Sequence, residues 1–201
     1  KLYHFSSHVY PGDKAPKRTL ISDMTKGASC NVSELEMNAH NGTHMDAPRH
    51  FVRDGKTIDE LELDRLIGSC AVVSAEGAVE PEFVREVCRK YDVKRILLKG
   101  ECHLTKAAAD ILSECGIVLV GVESQSIATY DDPVTVHVSV LGQGIAALEG
   151  LVLTEVPDGK YFLFAAPIKL GGSDGSPCSA HRQNRYRYLK NNAMFFSAEV
   201  I

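Results

Sequence analysis

Val93-Lys94-Arg95-Ile96-Leu97-Leu98-Lys99, then Thr105-Lys106-Ala107-Ala108-Ala109-Asp110-Ile111-Leu112-Ser113-Glu114-Cys115, then Gly116-Ile117-Val118-Leu119-Val120-Gly121-Val122-Glu123 is the stretch that decides the fold class. Short apolar runs flank a segment of helical period, with Thr105 available as its N-cap. A strand, helix, strand order points to parallel pairing within an α/β domain. Outward from it, Cys70-Ala71-Val72-Val73 reads as another apolar strand, and Pro81 opens a helix in which Phe83, Val84 and Val87 recur at helical intervals. Residues 56–67 carry Ile58, Leu61, Leu63, Leu66 and Ile67 at roughly helical spacing. Residues 31–38 alternate polar and apolar, the period of a half-buried strand, while 161–170 and 193–201 read as later strands.

The strand predicted over 31–38 leads into His40-Asn41-Gly42-Thr43-His44-Met45-Asp46-Ala47-Pro48-Arg49-His50. Gly42, Thr43, Asp46 and Pro48 oppose a continuous helix, so this is strand end and loop. An extended backbone would project His40, His44, Asp46 and His50 toward one side. Imidazole and carboxylate together suit zinc, manganese and related divalent ions, whereas all-oxygen sets favour calcium or magnesium.

A second cluster lies in residues 135–149, whose apolar pattern is helical despite Gly142 and Gly144. Steps of four from His137 pass Leu141 and Ile145 before Glu149, so His137 and Glu149 flank the apolar face. A carboxylate there is costly to bury unless a cation or hydrogen-bond donors compensate it. The alternative is that Glu149 simply meets water next to Gly150. Spacing alone does not bring 137 and 149 to 40–50.

The forms HxGTHxDxPxH and HxxxLxxxIxxxE together resemble the metal-dependent cyclase-like hydrolases that include bacterial kynurenine formamidase. Tyr10-Pro11-Gly12-Asp13, Gly55-Lys56-Thr57-Ile58-Asp59, Gly121-Val122-Glu123-Ser124 and Gly175-Ser176-Pro177 follow in the family's order, so the resemblance covers most of the chain. It implies a swivelling β/β/α architecture, a sheet-rich core with flanking helices, with residues 1–201 as one cyclase-like hydrolase domain. It also implies two divalent metal ions per chain, zinc ahead of manganese. His40, His44 and Asp46 would hold one; Asp46 would bridge to a second held by His137 and Glu149, with Glu149 able to contact both. His50 looks like the family's general acid/base. Tyr10 stands where formamidases resemble one another in an aromatic substrate contact, often Trp; this chain has no Trp.

A divalent ion lowers the pKa of bound water from about 16 to about 7 and so supplies hydroxide at neutral pH. His, with an unperturbed pKa of about 6.5, suits proton transfer to a leaving nitrogen. The expected reaction is hydrolysis of an aryl formamide, foremost N-formylkynurenine to kynurenine and formate in tryptophan catabolism. Opening of an isatin-like lactam or a lactone is the alternative within the family. A metal-stabilised binding protein without turnover is the alternative of another class.

The chain's 201 residues, 44% hydrophobic, suffice for one core. A formal charge of −4 argues against a general nucleic-acid binder or membrane-surface protein. The basic residues within 181–192 among Tyr186 and Tyr188 read as a solvated connection or subunit contact. Six scattered cysteines without a CxxC pair read as reduced thiols; Cys102-His103 has no identifiable orienting group. No apolar run reaches bilayer length and no signal-peptide layout opens the sequence, so a cytoplasmic protein is expected. Expected partners are a small amide substrate and a second copy of the chain, in a homodimer or larger homo-oligomer.

Overall fold

Buried side chains along 95–99 and 119–122 produce two neighbouring parallel strands, as the deciding stretch requires. The computed structural model describes residues 9–184 and 199–200. In chain order, β1 (Lys17–Ser22) and β2 (Val32–Glu36) form a ribbon, and β3 (His44–Asp46) follows. Then come α1 (Leu63–Leu66), β4 (Ile67–Ser74), β5 (Gly77–Val79), α2 (Pro81–Tyr91), β6 (Arg95–Lys99), β7 (Cys102–Leu104), α3 (Lys106–Asp110) and β8 (Leu119–Val122). The chain continues through α4 (Pro133–Gly142), β9 (Ala146–Glu149), β10 (Gly159–Pro167), β11 (Gly175–Asn184) and β12 (Glu199–Val200).

The main sheet has the order β10-β4-β6-β8-β9-β3-β11-β12, and the β10–β11 pairing closes it into a barrel. The pairs β4–β6, β6–β8 and β8–β9 are parallel, and the pairings of β3, β10, β11 and β12 are antiparallel. Alternation then divides the side chains. Cys70, Val72, Leu97, Leu119, Leu148 and Met45 enter one apolar cluster, and their neighbours Ala71, Val73, Ile96, Leu98, Val120 and Ala147 enter another. The second cluster includes Val84 and Val87 of α2, Ala108 and Ala109 of α3, and Val136, Val140 and Leu141 of α4. One face of the sheet is thus packed by its own side chains together with Ile58, Leu61, Leu66, Leu151, Leu153 and Val156, and the other is covered by helices, a sheet-rich α/β fold.

Local signals explain the ends. Thr105 Oγ1 accepts from Ala108 N (3.2 Å) at the start of α3, and Asp132 Oδ1 accepts from Thr135 N (3.1 Å) at the start of α4, where Pro133 fills the first turn. Helical expectations over 56–67 are corrected: a 3-10 turn at Ile58–Glu60, closed by a Thr57/Glu60 capping box, precedes α1, and Ile67 already belongs to β4. The half-buried strand over 31–38 is corrected as well, since all of β2 is exposed and, among the described residues, it pairs with β1 alone. The strand expected over 161–170 is β10. That over 193–201 lies outside the described residues except β12, and so does the basic segment after residue 184.

Leu97 sits fully buried in the central strand. Leu97→Ala should cost about 2–5 kcal/mol of unfolding free energy, read from the denaturant midpoint at unchanged slope.

Candidate metal centre

In β3, Met45 joins the barrel interior, so His44 and Asp46 face the helix-covered side. Pairing with β9 sets His44 opposite Glu149, and pairing with β11 sets Asp46 opposite Gly175. The sequence pattern placed Glu149 on the same helix as His137. That is corrected: α4 ends at Gly142, Gly144 adopts φ +71°, and the chain turns into β9. His137 reaches the strand from the covering helix. Its Nδ1–H donates to Pro133 O (2.6 Å), leaving Nε2 3.1 Å from Glu149 Oε1 and 3.7 Å from Asp46 Oδ2.

His44 is fixed in the same manner. Its Nδ1–H donates to Gly42 O (2.9 Å), and its Nε2 lies 3.3 Å from both Asp46 Oδ1 and Glu149 Oε2. His40 comes from the turn before β3, with Nδ1 2.8 Å from Asp46 Oδ1. Gly175 makes room for it, since a Cβ there would stand 2.5 Å from His40 Cε1. The two Asp46 oxygens therefore face different sides, Oδ1 toward His40 and His44 and Oδ2 toward His137. Glu149 does likewise, Oε2 toward His44 and Oε1 toward His137. Asp46 is 0% exposed and its Oδ2 has no hydrogen-bond partner among the described residues. Imidazole and carboxylate donors converging on an orphaned buried carboxylate oxygen fit a divalent cation. The two triads that could hold an ion, His40/Asp46/His50 and His44/Asp46/Glu149, share Asp46.

The groups polarise one another strongly. Burial pushes the His44 imidazole toward neutrality, but Asp46 and Glu149 outweigh it and raise its pKa to about 10. His40 and His137 are raised for the same reason, burial opposing and Asp46 or Glu149 prevailing. Burial would raise Asp46, yet His40 and His44 hold it well below the carboxylate range. His50, on a 3-10 turn from Pro48 to His50, differs: burial lowers its pKa, with Asp46 and Asp174 opposing. Its ring stacks on His40 (4.0 Å, 24°).

Tyr10 packs edge-on against Tyr130 (5.3 Å, 68°), and its phenol is pushed up by burial, then by Tyr130 and Glu149. The turn that carries it is tied to the site, because Asp13 Oδ2 accepts from Asn38 Nδ2 (2.9 Å) just ahead of His40. All six metal-motif residues and Tyr10 are thus brought to one region. Three neighbours went unread in the sequence: Tyr130, Phe51 stacked on His137 (4.5 Å, 20°), and Asp174, whose Oδ2 lies 2.9 Å from His40 Nε2 and 3.3 Å from His50 Nδ1. Asp174 directly precedes the Gly175-Ser176-Pro177 segment, which was the available signal. Cys102 is buried, and that burial, with Glu123, raises its thiol to about 11, away from the reactive thiolate. Glu123 is structural: it accepts from the backbone N–H groups of Gly100 (2.8 Å) and Leu153.

The sequence profile of a family described as putative cyclase matches residues 3–129. The chain belongs to the putative cyclase family. Among its relatives in this family, kynurenine formamidase of Paracidovorax citrulli is 34% identical over 196 residues, covering 88% of this chain and 91% of its own length. Kynurenine formamidase of Salinibacter ruber is 33% identical over 190 residues, covering 86% and 89%. A solved structure described as a potential metal-dependent hydrolase with cyclase activity superposes at TM-score 0.74 with 28% identity, covering 90% of this chain and 92% of that one. An isatin hydrolase bound to the product analogue thioisatinate, 19% identical, shares the fold at TM-score 0.72, covering 84% and 81%.

For this cyclase-family chain, a raised His44 contributes stability that is complete below about 6.5 and lost as pH rises through about 10. Metal-free protein should therefore weaken to denaturant across that window, and His44→Gln should flatten the slope. Metal uptake must displace the same proton. Zinc or manganese added near pH 7 should release protons into a weakly buffered solution and, at a hundredfold excess over Kd, stabilise by about 2.7 kcal/mol.

Proposed function

We propose that this chain is a metal-dependent hydrolase of an aryl formamide, with N-formylkynurenine the leading substrate and kynurenine and formate the products. The observation that carries the reading is the convergence of three imidazoles and Glu149 on the fully buried Asp46, with His50 beside them. The kynurenine formamidase relatives supply the substrate class. His40, His44 and Asp46 would hold one divalent ion, and Asp46, His137 and Glu149 would hold another. Zinc fits this set, as does manganese. When bound, such ions acidify water and polarise a carbonyl.

The remaining steps belong to the chain's own side chains. His50, whose pKa burial lowers, takes up a proton and delivers it to the amide nitrogen as the C–N bond breaks. Tyr10 and its partner Tyr130 offer aromatic faces to an aryl ring. Formamide and water become amine and formic acid, so no redox partner is required. A lactam such as isatin presents the same acyl–nitrogen bond within a ring, and the isatin hydrolase fold makes it the second substrate class to test.

The protein is further read as cytoplasmic, acting in tryptophan catabolism as a homodimer or larger homo-oligomer. Among the described residues no helix is long and apolar enough to cross a membrane. A paired ribbon that exposes Ile21, Met24 and Leu35 suits contact with a second copy.

Aryl formamides, lactams and lactones should be assayed with wild type and His50→Ala, each reconstituted with zinc or manganese. His50→Ala should retain metal and lose about 10²- to 10⁴-fold in kcat on the best substrate. Full activity in that variant would overturn the role of His50, and two ions per chain with no turnover on any substrate would favour a binding protein.

A further inference from the structure

We infer that Asp174 is a positioning residue, whose single Oδ2 orients His40 and His50 together and selects the tautomer of each. His40 points Nδ1 at Asp46 Oδ1 (2.8 Å) and Nε2 at Asp174 Oδ2 (2.9 Å). With Nε2–H donating to Asp174, Nδ1 is the nitrogen left facing Asp46, where it would serve a cation. His50 turns Nδ1 toward the same oxygen (3.3 Å). With Nδ1 holding its proton there, Nε2 is left as the basic nitrogen. A carboxylate behind a ligating imidazole fixes ring orientation in metal sites, and one behind a general base does so in hydrolases. Here one carboxylate serves both rings, which stack at 4.0 Å.

Asp174 is held for this purpose from both directions. Its carbonyl accepts from Ala47 N (2.9 Å), one residue after Asp46. Ser173 O accepts from Ile58 N (2.9 Å), and Gly172 N donates to Asp59 Oδ1 (3.0 Å). On the other side, Gly175 pairs with Asp46 across β3 and β11 and has no side chain to displace the His40 ring. The segment 172–175 is therefore fixed by the strand of the metal motif and by the Ile58–Glu60 turn that follows it. Asp174 itself is 45% exposed at the side chain.

The half of the inference that concerns His50 rests on the reading of His50 as proton carrier; the half that concerns His40 does not. The test uses full-length protein loaded with zinc, comparing wild type, Asp174→Asn and Asp174→Ala by three readouts. Imidazole ¹⁵N NMR should show His40 protonated at Nε2 and His50 at Nδ1 in wild type, with loss of these fixed tautomers in Asp174→Ala. Competition against a chelator should show zinc held about 10- to 100-fold more weakly in Asp174→Ala. On the best substrate kcat should fall with little change in KM, and Asp174→Asn, whose carbonyl oxygen accepts one N–H, should recover part of each loss. Unchanged tautomers and zinc affinity in Asp174→Ala would overturn the inference. If that variant fails to fold, Asp174→Asn decides by the same readouts. If wild type turns over no substrate, the hydrolase reading falls while the NMR and chelator results still decide the placement of His40.

Discussion

A carboxylate with no access to water, Asp46, is the constraint around which this molecule is organised. Removing a charged group from solvent costs several kcal/mol unless opposite charge and hydrogen bonds replace hydration. Here the replacement is supplied by imidazoles that are themselves buried or half-buried and raised by the carboxylates they face. Such a cluster is stable only as a unit. Each imidazole is aimed by something behind it, a backbone carbonyl for His44 and His137 and the Asp174 carboxylate for His40. The fold's contribution is to hold those outer partners still.

The division of labour between the two faces of the sheet follows from period-two alternation. In β3 and β9, Met45 and Leu148 go to the apolar interior while His44, Asp46 and Glu149 go to the side covered by α4. The site thus uses strands, whose geometry is set by ladders on both sides, for its most buried ligands. It uses turns for His40 and His50, which face the more open side. Rigid elements hold charge, and looser ones meet the reactant.

Much of this was legible in the chain. The apolar runs at 93–99 and 116–123 and the Thr105 cap gave parallel strands around a helix because local periodicity and a burial requirement agree there. The His40–His50 motif disclosed its chemistry because ligand-type side chains are rarely so dense by accident. Where reading failed, the cause is tertiary. Glu149 continued the helical pattern of His137 only because Leu141 and Ile145 are buried in both a helix and the turn after it; Gly142 and Gly144 were the truer signal. The alternation of 31–38 described a strand correctly but not its exposure, which depends on what lies opposite. Asp174 lies 134 residues from His40, and no periodicity links them.

The register that sets His44 opposite Glu149 has a consequence for the order of assembly. β3 is three residues long and takes its place only between β9, about a hundred residues later, and β11, later still. Pairings at such separation form late, since loop closure precedes any reward from contact. A slip of one residue would turn Met45 toward Glu149 and bury His44 and Asp46 in the barrel. An incompletely registered chain therefore lacks the juxtaposition of His44, Asp46 and Glu149 on which the site depends.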